Sequence, residues 1–271
     1  RSNEFRTTLQ DKLREALGFN KPVIIQFSRF NFTGTPFSKR KIRSLIEMGY
    51  IKDWSDIRLP TISAIRRRGI QPEAIKQFVL HTKYSASEHE YSWDLLLTLN
   101  RRIIDPIAKR LFFVESPTKL TVDDAGETTA KLKYHPSVDL GFRSINTNGK
   151  FYISKRDFDS INVGDFIRLK DLYAIKVIEK TKDEIYSKLS PINKGNVIHW
   201  VPAENSVPIK VIKIGNLIEN DKFNENSLIE IGGLAEENVK LLKQGDIVQF
   251  ERFGFCILDD KSENKFIFIS D

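Results

Sequence analysis

VGDFIRLKDLYAIKVI, residues 163–178, is the stretch that decides the fold of the second half of the chain. A Gly-Asp turn precedes a four-residue strand-like run, a charged pair follows, and a second strand-like run completes the pattern. QGDIVQFERFGFCIL, residues 244–258, repeats this order. The repeat predicts two related β-barrels, although Gly-Asp before a strand is also common turn chemistry and can recur by chance.

Short runs with the two-residue period of strands continue on both sides of this stretch. They are KLTV, KLKY, KFYI, EIYSKL, VIHWV, VPIKVIKI and KFIFI, and Gly, Asn, Asp and Pro turns separate them. We therefore predict an all-β region over residues 112–271, built as a sandwich or as barrels.

The first half of the chain has a helical period instead. Residues 1–20 predict a helix that ends at Gly18, and VIIQF at 23–27 predicts a short strand. A helix, strand, loop and helix in this order are typical of the end of an α/β domain, which we place at residues 1–42. Helix starts at Thr61, Pro72 and Ser92 predict a small all-helical subdomain over residues 43–111.

One helix start has unusual chemistry. TPFSKRKI, residues 35–42, places Lys39, Arg40 and Lys41 directly after Ser38, the residue type that caps a helix N-terminus. The helix dipole favours acidic residues at that position, so three cations do not suit a purely structural terminus. The stretch instead suggests a loop that grips phosphate.

The charge of the chain points the same way. The net charge is +7. The segment from Arg29 to Lys76 alone has eleven basic and four acidic residues, an excess of +7. Such a concentrated positive field suits nucleic acid or nucleotide phosphate, and a solvated basic face is the equally weighted alternative.

Composition excludes several other classes. The single cysteine forms no intrachain disulfide, and the four scattered histidines predict no metal site. No apolar stretch is long enough to cross a membrane and the start is not a signal peptide, so we expect a cytoplasmic protein whose sequence could begin inside a longer one. GFRSINTNGKF at 141–151 resembles a phosphate loop only at its Gly-Lys, because its spacing is wrong and Phe151 replaces the required Ser or Thr.

Planar polar side chains lie among the aromatic residues of the β-rich half. We predict that Arg143, Lys194, Gln249 and Arg252 lie in turns or on the outward phase of strands. Such side chains on barrels commonly contact unstacked RNA bases.

Several longer stretches together resemble one family. FSKRKI at 37–42 is similar to a Lys-Met-Ser-Lys-Ser signature in its Ser-Lys-Arg form. DWSDIRLPTISAIRRRGIQPEAI at 53–75, SWDLLLTLNRRIIDPIAKRLFFV at 92–114 and VQFERFGF at 248–255 continue the match. The chain resembles the C-terminal part of archaeal-type glutamyl-tRNA synthetases, class I enzymes related to glutaminyl-tRNA synthetases.

The resemblance implies an architecture and a set of partners. The expected fold is multidomain: the end of an α/β Rossmann-type catalytic domain, a helical subdomain that contacts the tRNA stem, and two all-β barrels. Within residues 112–271, a distal barrel of roughly residues 141–206 is expected as an insertion into a proximal barrel. The implied ligands are glutamate, ATP with its magnesium, tRNA(Glu) and possibly tRNA(Gln), and the default oligomeric state is a monomer.

The resemblance also implies roles for individual residues. Lys39 would be the mobile cation that stabilises the ATP phosphates, with Ser38 and Arg40 supporting closure of the loop. Arg29 and Phe30 would lie against the adenosine. The residues implied to contact tRNA are Asp56, Arg58, Arg66, Arg67 and Arg68 below the inner corner, and Arg143, Lys194, Gln249 and Arg252 at the anticodon.

Two alternatives stay open. The chain could belong to a glutaminyl-tRNA synthetase, or it could be a non-catalytic RNA-binding module. The family's His-Ile-Gly-His signature does not occur in this sequence, so the chain alone is expected to be unable to form glutamyl-adenylate.

Overall fold

The computed structural model describes residues 2–24, 30–36, 38–82 and 89–271. Helices dominate up to residue 107, and strands dominate afterwards. The helices are α1 (Ser2–Ala16), α2 (Lys39–Glu47), α3 (Ile62–Arg67), α4 (Pro72–Thr82), α5 (Trp93–Ile104) and α6 (Lys155–Ser160), with 3-10 helices at Asp105–Ile107 and Glu237–Leu241. Within these ranges, no helix combines the length and apolar character needed to span a membrane.

Twenty strands complete the described secondary structure. They are β1 (Phe30–Phe32), β2 (His89–Tyr91), β3 (Lys109–Leu111), β4 (Phe113–Glu115), β5 (Pro117–Val122), β6 (Thr128–Lys133), β7 (Phe142–Thr147), β8 (Lys150–Ser154), β9 (Phe166–Leu169), β10 (Ala174–Lys180), β11 (Glu184–Leu189), β12 (Asn196–Ile198), β13 (Val201–Pro202), β14 (Val207–Ile214), β15 (Ile218–Glu219), β16 (Lys222–Phe223), β17 (Leu228–Ala235), β18 (Ile247–Phe250), β19 (Gly254–Asp260) and β20 (Lys265–Ser270).

Two seven-stranded sheets form barrel-like folds. The distal sheet has the order β12-β9-β10-β11-β5-β8-β13, and the proximal sheet has the order β3-β18-β19-β20-β14-β17-β4. In sequence, the strands of the distal sheet, β5 and β8 to β13, lie between β4 and β14 of the proximal sheet. β5 pairs with β8 and with β11, so the distal sheet includes a strand before residue 141.

The sequence repeat is also a structural repeat. Its two copies form antiparallel hairpins, β9–β10 in the distal sheet and β18–β19 in the proximal sheet. Gly164 and Gly245 have φ angles of 91° and 89°, which favour glycine. Gly164 N donates to Val177 O over 3.0 Å, and Gly245 N donates to Leu258 O over 2.8 Å. The same turn and the same closing hydrogen bond therefore occur in both sheets.

The proximal sheet includes two strands that precede the distal unit in sequence. β3 and β4 come before the distal strands but pair with β18 and β17 of the proximal sheet. β12 and β13 complete the distal sheet by pairing with β9 and β8. At the passage from β3 to β4, Phe112 belongs to the distal core and its neighbour Phe113 belongs to the proximal core. The two cores therefore meet at this pair of residues.

The helical region begins where the sequence predicts. Thr61 caps α3 by accepting a hydrogen bond from Ala64 N, and Ser92 caps α5 by accepting one from Asp94 N. Ile104 at the end of α5 packs with Phe255 and Ile267 of the proximal sheet, so the helices sit directly on this barrel.

The first twenty residues agree with prediction in part. α1 ends shortly before Gly18, but Leu9 and Leu13 of the helix and Leu17 directly after it are exposed. Val23 and Ile24 are not in a strand, and the remainder of the predicted strand at 25–27 lies outside the described residues.

Candidate nucleic-acid interface

The basic loop opens α2 without the usual cap. Ser38 has the extended backbone of an N-cap, but its side chain makes no capping hydrogen bond, and the first turn of the helix has no acidic residue. Lys39, Arg40 and Lys41 are all exposed. Ile42 and Leu45 anchor the helix in a core with Leu217 of the proximal barrel. The helix is therefore fixed by its apolar face while its cationic start faces solvent.

The neighbouring aromatic residues form a stacked group. Phe30 is half-buried, with its ring centroid 5.8 Å from that of Phe78 and 5.7 Å from that of Tyr91. Phe32 stacks on Trp93 with centroids 4.2 Å apart. Phe30 is thus partly available to a ligand, whereas Arg29, its predicted partner, lies outside the described residues.

Protein acceptors engage most of the Arg58 guanidinium. Its side chain is 7% exposed, and its Nε and Nη2 atoms each donate to Asp56 over 2.8 Å. Nη1 donates to Ser227 Oγ over 2.9 Å, and Nη2 also donates to Tyr50 O over 3.1 Å. These bonds tie the loop before α3 to the proximal barrel and occupy four of the five N–H donors of Arg58.

The three consecutive arginines that follow have three different environments. Arg66 is exposed. Arg67 makes a bidentate pair with Asp259, with distances of 2.6 and 2.7 Å. Arg68 is buried, and its guanidinium lies over the ring of Trp93. Of these three arginines, Arg66 is thus the one that is exposed and makes no ion pair with a described residue.

Arg143 corrects the prediction that it points outward. Residues of β7 alternate in burial, and Arg143 is on the inward phase, with a fully buried side chain. Its Nε lies 2.9 Å from Glu236 Oε1, and its Nη1 donates to Lys133 O over 2.7 Å. Its charge lies over the ring of Phe112 at 5.0 Å. The predicted phase was wrong by one residue, because its neighbour Phe142 takes the exposed position.

The pKa of Glu236 stays raised although a cation pairs with its carboxylate. Burial raises its pKa, while the charge of Arg143 and a hydrogen bond from Phe112 N oppose that shift. Arg143 Nη2 remains buried without a hydrogen-bond partner, 3.8 Å from Glu251 Oε1. The buried pair of Arg143 and Glu236 therefore lies next to Glu251, at the boundary between the two barrels.

Glu251 links the two barrels at that boundary. Its carboxylate pairs with Lys170 of the distal hairpin and lies 3.4 Å from Nε2 of His199. Burial raises the pKa of Glu251, but hydrogen bonds from His199 and Lys170 lower it by more, to about 2. Burial in turn lowers the pKa of His199, although the carboxylate opposes that shift. Glu251 is therefore a permanent anion at neutral pH.

Arg252 is the most accessible of the predicted anticodon arginines. Its backbone has a φ of 63°. Two hydrogen bonds of 2.9 and 2.8 Å orient its guanidinium on Asp157, and 44% of the side chain stays exposed. Both residues line a cavity of about 60 Å³ at the barrel boundary, together with His199 and Glu251. The arginine is thus positioned in advance and still open to a ligand.

Gln249 lies on β18 beside unpaired polar atoms. Its Oε1 is buried without a hydrogen-bond partner, and so is Nε of Arg110, its register partner on β3. His135 Nδ1 accepts hydrogen bonds from Ser137 N and Val138 N, so the proton is on Nε2, which also has no hydrogen-bond partner. Arg110 Nη2 and His135 Nε2 lie 3.4 and 3.9 Å from Asp105 Oδ1.

Arg110 and His135 were missed by the sequence analysis. Twenty-four residues separate them, and only the folded arrangement brings both to Asp105. Gln249 and Arg110 are register partners, and Arg110 and His135 both approach Asp105. Each of the three side chains has a buried polar atom without a hydrogen-bond partner among the described residues, which is costly in a protein alone.

Lys194 lies at the edge of the distal sheet. It is exposed, and its ammonium is 4.4 Å from the ring centroid of Phe166. Gly195 has a φ of 100°, and a Cβ there would lie 1.8 Å from Phe166 O. Only glycine therefore permits this close approach, which holds Lys194 over the ring.

The described residues of this interface offer polar and cationic groups. Among them, no group of three or more His, Cys, Asp or Glu residues is arranged to hold a metal ion. Their chemistry suits recognition of phosphate and of base edges.

Comparison with known proteins gives these features a common context. Residues 1–106 match the family described as tRNA synthetases class I (E and Q), catalytic domain. Residues 108–191 and 197–259 match two families described as tRNA synthetases class I (E and Q), anti-codon binding domain. The matches divide the chain at the start of the β-rich half and again between β11 and β12 of the distal sheet.

Several individual relatives are glutamate–tRNA ligases. The glutamate–tRNA ligase of Pyrococcus abyssi is 40% identical over 97% of the chain and 45% of its own length. That of Nitrosopumilus maritimus is 38% identical over 99% of the chain and 48% of its own length. That of Methanococcus maripaludis strain DSM 14266 is 33% identical over 96% of the chain and 45% of its own length. The chain spans about half the length of the curated relatives it matches.

Proposed function

Because the chain belongs to the class I tRNA synthetases of the glutamyl and glutaminyl type, we propose that it is the tRNA-binding part of a glutamate–tRNA ligase. The whole enzyme would activate glutamate with ATP and transfer it to tRNA(Glu). The observation that carries the proposal is the set of unpaired buried polar atoms beside Gln249, within a barrel pair that matches anticodon-binding families. We expect a cytoplasmic monomer, and tRNA(Gln) is a possible second substrate.

The boundary between the barrels would read the anticodon. Arg252 presents a guanidinium already oriented by Asp157 and can hydrogen-bond two atoms of a flipped base. Gln249, Arg110 and His135 supply one acceptor and two donors that a base edge would satisfy. Lys194 would neutralise an adjoining phosphate. Arg143 would act on this surface indirectly, since its side chain is buried behind it.

The basic loop would act on ATP. Residues 1–42 would be the end of a Rossmann-type catalytic domain, and residues 43–111 a helical subdomain next to the tRNA stem. Lys39 would balance the charge on the ATP phosphates during glutamate activation, with Ser38 and Arg40 beside it. Exposed cations without acidic neighbours in the first turn of α2 suit this electrostatic role. Phe30 and Arg29 would contact the adenosine, and magnesium would neutralise part of the phosphate charge.

A binding measurement with the present chain tests the RNA half of the proposal. We expect binding to a tRNA(Glu) transcript that weakens with salt, because each neutralised phosphate releases counterions. Removal of the anticodon stem-loop from the same transcript should weaken binding strongly. Equal affinity for both transcripts, or affinity that does not change with salt, would overturn the assignment.

Amino-acid activation by the full-length ligase tests the other half. Lys39→Ala should lower the rate of ATP–pyrophosphate exchange while tRNA affinity changes little. Lys52→Ala, a neighbouring exposed cation outside the loop, is the matched control and should leave the rate unchanged. Equal rates for both variants would remove Lys39 from the proposed chemistry.

A further inference from the structure

The two-stranded ribbon of β6 and β7 has one face toward the protein and one face toward solvent. The strands pair with each other outside the two large sheets, and burial alternates along both of them. On the inner face, Ala130, Leu132 and Ile145 belong to the distal core. On the outer face, every exposed position has a polar or charged side chain except one, which is Phe142.

Phe142 is an exposed aromatic residue beside two cations. The residue is 54% exposed. Lys133 is its register partner across the ribbon, and the ammonium of Lys131 lies 5.0 Å from its ring centroid. Both lysines are exposed, and neither forms a salt bridge with a described residue. Proteins that bind single-stranded nucleic acid combine such rings, on which bases stack, with cations that contact the phosphates.

The buried side of the ribbon fixes the position of this ring. Arg143, the residue after Phe142, donates from Nη1 to Lys133 O over 2.7 Å, and its Nε lies 2.9 Å from Glu236 Oε1. A buried ion pair therefore attaches the backbone of Phe142 and Lys133 to the core. A ring that is held in place before binding loses little conformational freedom when a base stacks on it.

The ribbon also continues the surface that includes Gln249. Gln249 is the register partner of Arg110 on β3. Arg110 N donates to Tyr134 O over 2.7 Å, and Tyr134 N donates to Gly141 O over 2.9 Å. Two strand spacings of about 4.8 Å thus separate the backbone of Arg110 from that of Gly141, the residue before Phe142. The exposed ring therefore lies on the flank of the candidate interface.

We propose that Phe142 is a stacking platform for one unpaired base of the bound RNA, next to the base that contacts Gln249. Lys131 and Lys133 contact the phosphates on either side of the stacked base. This inference rests on the proposed function, because it takes RNA as the ligand. Stacking accepts every base, since each base has a π-face. Phe142 therefore contributes affinity, and Gln249 contributes discrimination between bases.

The anticodon stem-loop of tRNA(Glu) is the probe for binding to the intact chain. Phe142→Leu keeps an apolar side chain but removes the π-face, so it should weaken stem-loop binding about tenfold. Phe142→Trp keeps a π-face and should bind at least as tightly as the wild type. Phe19→Leu is the matched control, because Phe19 is 64% exposed in the helical half of the chain, and it should bind normally. Equal affinity of Phe142→Leu and the wild type would overturn the proposal.

The emission of Phe142→Trp shows whether this ring itself meets a base. A stacked base should quench the new indole, beyond any change that the three native tryptophans show in the wild type. The additional quenching should saturate at the same RNA concentration as binding does. Binding without additional quenching would place the ring outside the RNA interface and overturn the proposal.

The salt dependence of binding separates the phosphate contacts from stacking. Lys131→Met should reduce the slope of log K against log salt by about 0.7, the value for one phosphate contact to a single strand. Phe142→Leu should leave the slope unchanged, because it removes no charge. An unchanged slope in Lys131→Met would contradict the phosphate contact assigned to this lysine.

The stacking platform and the proposed function fail in different ways. A wild-type chain that does not bind the stem-loop overturns the proposed function and, with it, the platform. Wild-type binding that depends on the anticodon bases, together with unchanged binding by Phe142→Leu, overturns the platform alone. Phe142→Leu should keep the wild-type preference for the natural anticodon over a one-base variant. Loss of that preference would contradict a stack that accepts every base.

Discussion

The distal and proximal barrels share one hydrogen-bonded frame and differ in the charges placed on it. Lys170 and Asp171 at the corner of the distal hairpin occupy the positions of Glu251 and Arg252 in the proximal hairpin, so both charges are reversed. The first members of each pair contact one another and join the barrels. Asp171 and Arg252 differ in their contacts, because an ion pair with Asp157 orients Arg252 at the boundary cavity and Asp171 has no such contact with a described residue.

The short helix before each hairpin shows the same divergence. Ser154 caps α6 through its hydroxyl, which accepts a hydrogen bond from Asp157 N. Glu236 stands at the start of the matching 3-10 helix, and its buried carboxylate pairs with Arg143. A duplicated frame thus has a neutral cap in one copy and a buried ion pair in the other. The two copies therefore share their backbone arrangement and differ in the side chains at the helix start.

The largest expected effect comes from breaking the buried ion pair of the proximal copy. Arg143→Met should lower the free energy of unfolding by about 3 to 5 kcal/mol, because it leaves Glu236 buried and uncompensated. Chemical denaturation with two independent probes measures the loss. Arg143→Met with Glu236→Gln should recover part of it, and a single-variant loss below about 1 kcal/mol would contradict the assigned role.

Acid titration tests the anion that joins the barrels. The folded pKa of Glu251 is about 2, below its ordinary value of 4.5, so its contribution is complete above pH 4.5 and is lost as pH falls towards 2. The contribution is on the order of 2 to 3 kcal/mol. Glu251→Gln should remove this part of the pH dependence of stability between pH 4.5 and 2. An unchanged slope in that variant would show that the carboxylate is not held ionised by folding.

The two hairpin corners provide a matched pair for RNA binding. Arg252→Ala should weaken binding of a tRNA(Glu) transcript by about 1 to 3 kcal/mol, because a bidentate base contact is lost. Asp171→Ala changes the equivalent position, which also has a positive φ, and should leave affinity unchanged. Similar losses in both variants would indicate a shared structural effect instead of base recognition.

The smallest effect is expected at the neutral cap. Ser154→Ala removes the hydroxyl that caps α6 and should cost about 1 kcal/mol of unfolding free energy. Thermal or urea unfolding is sufficient to measure it. A loss as large as that of Arg143→Met would mean that the two helix starts do not differ as the structure indicates.

Sequence periodicity predicted most elements because burial alternates cleanly along them. All of VPIKVIKI became β14, and the helix starts at Thr61 and Ser92 have the predicted caps. β17 was missed because Gly232 and Gly233 interrupt its strand-like composition. The structure needs Gly233, since a Cβ there would lie 2.3 Å from Val114 O on the neighbouring strand.

The candidate site was less predictable than the fold. The accessibility of Arg252 agrees with prediction, and Arg143 does not, because a one-residue change of phase reverses the face of a strand. Arg110 and His135 join the site only through pairings between segments distant in sequence. No local sequence pattern indicates a residue whose hydrogen-bond or ion-pair partners lie on a segment that is distant in sequence.

The central claim is that the boundary between the barrels reads the anticodon. The most direct test is the affinity of wild type and Gln249→Ala for two tRNA(Glu) transcripts that differ in one anticodon base. The account predicts that the wild type prefers the natural transcript by about tenfold or more, and that the variant binds both transcripts alike. Equal binding of both transcripts by the wild type, or full discrimination retained by Gln249→Ala, would contradict it.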